Sequence, residues 1–127
     1  MSEITKLEGG RAAYAYKAVK DVFEKNKNHS KEYKSLVRKI GSMIQTNGLG
    51  AALAFMYAKN KDHHQLLNKH LSNWLTKESS LFKLLLNDEK LVEQVIKLDS
   101  DTYRACTVEV LALVVWLKRF AEGMIES

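Results

Sequence analysis

Apolar residues recur at spacings of three and four along most of this chain, and no stretch alternates with the two-residue period of a strand. Ala15, Ala18, Val19, Val22 and Phe23 give an apolar face to a first helix over residues 3–25, and the small Ala12, Ala13, Ala15 and Ala18 permit close packing. Asn26-Lys-Asn-His29 breaks the pattern, and Ser30 can cap a second helix over residues 31–46. The buried stripe of that helix reads Tyr33, Leu36, Val37, Ile40, Met43 and Ile44. Asn47-Gly48 tolerates positive φ and predicts a left-handed stop, with a third helix from Leu49 to about Lys59.

Asp62 is expected to cap a fourth helix carrying Leu66, Leu67, His70, Leu71, Trp74 and Leu75. A short fifth helix starts at Ser79 or Ser80, and after Asn87-Asp88 a sixth carries Leu91, Val92, Val95, Ile96 and Leu98. The last helix runs from Asp99 or Ser100 to about Ile125. Its centre, Val110 to Leu117, is apolar on every face and belongs inside a bundle. The expected fold is all-α: a compact bundle of six or seven helices around a central C-terminal apolar helix, in a single helical domain spanning residues 1–127.

Composition supports this pattern. A chain of 127 residues can bury one real core, and none of its residues is the helix-breaking proline. Hydrophobic content of 46% with 28% charged residues suits a soluble globular protein and not a disordered one. A single cysteine, Cys106, allows no intramolecular disulfide. The first residues lack the apolar core of a signal peptide, and the longest apolar run is far shorter than the ~20 residues that span a bilayer. A cytoplasmic protein with no membrane association is expected.

Charge is distributed unevenly. Residues 1–50 carry ten basic and five acidic side chains, whereas residues 51–127 carry ten of each, so the whole excess of +5 falls on the first two helices. Such asymmetry fits a polyanion or an acidic partner, set against a merely solvated lysine-rich surface. Lys17 and Lys20 share one helix face, and Lys31, Lys34 and Arg38 share another. Lys118 and Arg119 lie late in the last helix, where they also suit its negative end.

Catalytic patterns are missing. The positions three before each histidine are Asn26, Asn60, Lys61 and Leu67, so the Glu-x-x-His motif of di-metal bundles is absent. Asp62, His63 and His64 are adjacent and diverge around a helix start. Cys106 has no activating base in its sequence neighbourhood and reads as a small buried hydrophobe. No glycine pattern cradles a phosphate. The helices flanking Asn47-Gly48 mimic a helix-turn-helix, but Leu-Gly-Ala-Ala-Leu-Ala-Phe offers no donors to base edges. No cofactor, metal or small-molecule substrate is expected. The uncharged quartet Gln45, Thr46, Asn47 and Gly48 is unusual in so lysine-rich a helix. Asn47 and Gly48 form the helix stop, and Gln45 and Thr46 are expected to be partly buried, bonding the junction backbone or a neighbouring subunit.

Three segments together resemble one family. They are Leu7-Glu-Gly-Gly-Arg-Ala-Ala-Tyr-Ala-Tyr16; Glu32-Tyr-Lys-Ser-Leu-Val through Ile44-Gln-Thr-Asn-Gly-Leu-Gly-Ala-Ala-Leu-Ala-Phe55; and Tyr103-Arg-Ala through Val110-Leu-Ala-Leu-Val-Val-Trp-Leu-Lys-Arg-Phe-Ala-Glu-Gly123. In order and coverage they resemble the small subunit of the type III-B CRISPR effector, the Cmr complex of antiviral defence. Where that family often has charged residues before the first arginine, this chain has Gly9-Gly10, which is expected to loosen the first helix start.

The resemblance implies a non-catalytic subunit. Its copies would stack into a minor filament beside the crRNA-bound backbone subunits, near the large subunit, to form a groove holding guide and target RNA. Lys17, Lys20, Lys34, Arg38 and Lys39 are the expected phosphate contacts, with Arg104, Lys118 and Arg119 secondary. The alternative is a helical protein-interaction bundle whose basic face meets an acidic partner and never touches RNA.

Overall fold

The computed structural model describes residues 3–78 and 90–126, which form six α-helices in the order α1 (Glu3–Lys25), α2 (Ser30–Asn47), α3 (Leu49–Lys59), α4 (Asp62–Asn73), α5 (Leu91–Ile96) and α6 (Ser100–Met124). No strand occurs among the described residues. A 3-10 turn, Lys27–His29, joins α1 to α2, and a π turn, Trp74–Glu78, extends α4. The short helix expected from Ser79 or Ser80 lies outside the described residues.

The helix ends follow local chemistry. Asp99 caps α6 by accepting from the Thr102 amide at 2.7 Å, and that amide holds the carboxyl below its ordinary range. Gly48 alone takes the left-handed backbone between α2 and α3, with φ +94°; Asn47 remains helical. Two expected caps differ. Ser30 is the first residue of α2, and its hydroxyl donates back to the Lys27 carbonyl at 2.9 Å. Asp62 is the first residue of α4, after Lys61, and its carboxylate lies 3.1 Å from His29 Nε2. Gly9 and Gly10 do not interrupt α1, because the flanking helix-forming residues carry the turn through them.

The bundle is assembled on α6, which packs chiefly against α1 and α2. Contacts from Arg11–Glu109 to Tyr16–Phe120 ascend in both helices, so α1 runs parallel to α6. Contacts from Lys34–Ile125 to Arg38–Glu122 run the other way, so α2 is antiparallel. Tyr33, Leu36, Ile40, Leu53, Leu67, Leu71, Leu113 and Leu117 fill the core. Each such side chain removed from water contributes about 1.5–3 kcal/mol before conformational entropy is set against it.

The last helix is central but not enclosed. Val108 is 61% exposed and Val115 45%, so one apolar strip of α6 faces outward, contrary to the expectation from its uniformly apolar centre. Phe23 also lies at the surface, with the Lys27 ammonium 5.7 Å over its ring. No described helix is long and apolar enough to cross a membrane.

Candidate nucleic-acid interface

A buried polar network fixes the frame on which the surface side chains sit. Glu109, 2% exposed, lies between Val108 and Val110 in α6. Its carboxylate accepts from Arg11 Nε and Nη2, both at 2.9 Å, and from Trp74 Nε1 at 2.8 Å. One carboxylate thus joins α1, α6 and the π turn through charge-assisted bonds. Beside it, Tyr14 donates to the His70 carbonyl at 2.6 Å, and the Tyr33 hydroxyl meets His70 Nδ1 at 2.8 Å. Burial lowers the His70 pKa to about 4 and raises that of Tyr33.

The α2–α3 junction is closed from α6. The Tyr103 hydroxyl accepts from the Gly50 amide at 2.8 Å, satisfying one of the orphan donors at the start of α3. A Cβ on Gly48 or Gly50 would lie 3.3 or 3.4 Å from that hydroxyl, so the two glycines admit the tyrosine. Gln45 and Thr46 are exposed, and their side chains take part in no hydrogen bond among the described residues. Their expected burial at the junction is therefore corrected, because the tyrosine does the capping and the α2 face carrying them points outward.

The expected phosphate contacts divide into three groups. Lys34 is turned inward, 8% exposed, and donates to the Ile125 carbonyl at 2.7 Å. There it neutralises the negative end of α6, so its assignment to a phosphate-facing surface is corrected. Arg38 and Arg104 are exposed but face carboxylates, Glu122 at 3.2 Å and Asp101 at 3.9 Å. Lys17, Lys20, Lys39, Lys118 and Arg119 are exposed with no carboxylate partner within ion-pair reach among the described residues. Lys17 lines a groove between α1 and α4 with Asp21 and Lys69. Arg119 lies 5.4 Å over the Trp116 ring, in an aromatic seam that continues through Phe120 to Tyr16.

Lys39 belongs to a cluster that sequence order conceals. Its ammonium lies 5.7 Å over the Phe55 ring, and that of Lys59 lies 5.8 Å over the same ring. Lys61 follows at the start of α4, with its amide donating to His64 Nδ1 at 3.3 Å. The His64 ring stands edge-on to Phe55 at 5.8 Å, and His63 lies 4.1 Å from His64. Desolvation first lowers the pKa of both histidines; the fields of His63, Lys39 and Lys61 add to it at His64, and at His63 those of Lys61, His29 and Lys39 add to it while Glu32 opposes. Lys59 and Lys61 come from the charge-neutral part of the chain and were not expected here. The one local signal in the sequence is Lys59 four positions after Phe55, one helical turn on along α3.

The remaining chemical candidates are committed elsewhere. The His63 and His64 rings lie 4.1 Å apart, contrary to the expected divergence, because they tilt together at the start of α4, where His64 packs beside Phe55. Asp62 turns away to His29 and His64 Nδ1 is taken by the Lys61 amide, so the three do not converge on one point. Cys106 is buried, and burial followed by Glu109 pushes its thiol up to about 11. That disfavours the thiolate a nucleophile needs.

Comparison with known proteins places this architecture. Residues 7–124 match the family model described as CRISPR-associated protein (Cas_Cmr5). The chain is 31% identical over 115 residues to the CRISPR system Cmr subunit Cmr5 of Thermus thermophilus, covering 90% of this chain and 94% of that protein. It is 29% identical over 127 residues to the subunit of the same name from Thermotoga maritima, covering 97% and 90%. The crystal structure of a CRISPR-associated Cmr5 family protein from Thermus thermophilus superposes with a TM-score of 0.79 at 27% identity, across 99% of this chain and 100% of that one. With nearly its whole length matched in sequence and in fold, the chain belongs to the CRISPR-associated Cas_Cmr5 family.

Proposed function

We propose that the protein is the small, non-catalytic subunit of a type III-B CRISPR Cmr effector complex in the cytoplasm. Copies of it would stack into a minor filament beside the backbone and large subunits, and its basic surface would contact the phosphate backbone of crRNA and target RNA. Family membership supports a place in such a complex, since both curated relatives are named as Cmr subunits. The observation that carries the RNA reading is a set of exposed cations without carboxylate partners among the described residues, Lys17, Lys20, Lys39, Lys118 and Arg119. Such point charges suit phosphates and carry no base readout, as a wall for RNA of any sequence requires. The exposed apolar positions Val108 and Val115 give the same molecule a surface for neighbouring subunits.

Reconstitution of the complex with and without this chain tests the reading. Omission is expected to weaken target-RNA binding and to leave intrinsic cleavage chemistry in place. Unchanged target binding across a salt series after omission would overturn the RNA role.

A further inference from the structure

Three lysines at one corner of the bundle stand without acidic partners among the described residues, two of them over one ring. Lys39 comes from the middle of α2, Lys59 from the last turn of α3, and Lys61 from the start of α4. Phe55 holds two of the three ammonium groups at 5.7 and 5.8 Å. None of the three has an ion pair among the described residues, whereas Arg11, Lys25, Arg38 and Arg104 each have one. Like charges gathered at one corner repel, and after desolvation and His63 the field of all three lysines contributes to the lowered pKa of the adjacent His64.

We propose that the Lys39–Lys59–Lys61 corner is the principal phosphodiester site of this subunit, gripping the backbone of single-stranded RNA. This rests on the RNA-contacting role stated above and locates it on α2, α3 and α4 instead of on α1 and α2. The choice of RNA backbone over an acidic protein follows from the patch itself. Protein interfaces are depleted of lysine and are anchored by exposed aromatic side chains. Here the one aromatic ring is half-buried beneath lysines and His64, and the exposed groups are point charges. Lysine is a ready phosphate ligand, and the ring restrains two long side chains that would otherwise lose more entropy on binding. Glu32 and Asp62 are the nearby acids, and Asp62 already faces His29.

The experiment compares target-RNA affinity across a salt series for assembled complexes carrying Lys39→Ala/Lys59→Ala/Lys61→Ala or Lys17→Ala/Lys20→Ala, and for a complex lacking the subunit. All five lysines are exposed, so folding is expected to hold, and thermal melts of the isolated chains check this. The corner variant should flatten the slope of log affinity against log salt by about 2, the counterions released at roughly three single-strand phosphates. The Lys39→Arg/Lys59→Arg/Lys61→Arg variant should restore it, and the α1 variant should change it less. A wild-type slope in the corner variant overturns the proposal. If omission of the subunit still weakens binding, that result leaves the RNA role in place. If omission has no effect, both fall together.

Discussion

The Tyr103 hydroxyl accepts the Gly50 amide at 2.8 Å, so a side chain from α6 closes the start of α3. Tyr103→Phe removes that acceptor and leaves the amide without its partner. A loss of about 1 kcal/mol is expected in urea unfolding. Gly48→Ala should cost at least as much, because φ +94° is strained for any residue with a Cβ and the new methyl lies 3.3 Å from the tyrosine oxygen.

Glu109 and Arg11 form a buried pair whose halves cannot be separated cheaply. Glu109→Leu removes the carboxylate to which Arg11 and the Trp74 indole donate. Chemical denaturation should show a loss of about 3–5 kcal/mol. Arg11→Met combined with Glu109→Leu should recover part of that loss, since an apolar pair has no buried charge to desolvate.

Stability should fall in acid through His70. Its folded pKa of about 4 lies below its ordinary 6.5, so the fold favours the neutral ring. The unfolded chain therefore binds more protons as pH falls below 6.5. The contribution is fully present above that value and is lost as pH approaches 4, a change of about 3 kcal/mol. His63 and His64, also lowered, act in the same direction. Urea midpoints measured across this range check the slope, and His70→Gln should flatten it.

Lys34 should behave as a structural residue. Lys34→Met removes the donor to the Ile125 carbonyl and should lower stability by about 1–2 kcal/mol. In the assembled complex, target-RNA affinity and its salt slope should not change.

Gly9 lies within α1 with nothing within 4 Å of a Cβ built there. Gly9→Ala should stabilise the chain by about 0.5–1 kcal/mol, read as a rise in melting temperature of about 3 °C.

Elements defined by neighbouring residues were legible in the sequence. The extent of α1, the stop at Gly48, the start of α3 at Leu49 and the cap at Asp99 all follow from spacing, glycine and a short acidic side chain. What escaped depends on how helices cross. Glu109 meets Arg11 from 98 positions away, and nothing local distinguishes it from a surface glutamate. Lys34 shares a spacing with Lys31 and Arg38, yet packing against the end of α6 draws it inward. Lys59 and Lys61 join Lys39 only because α3 and α4 fold back beside α2. Charge counted along the chain located an excess in α1 and α2 but not the corner where Lys39 meets two lysines from the charge-neutral part.

Ultraviolet cross-linking of bound target RNA in the assembled complex, with peptide mapping, tests the RNA-contacting role most directly. The predicted result is RNA-modified peptides from this chain spanning Lys39 and the Phe55–Lys61 segment. RNA adducts on the neighbouring subunits with none on this chain would contradict it.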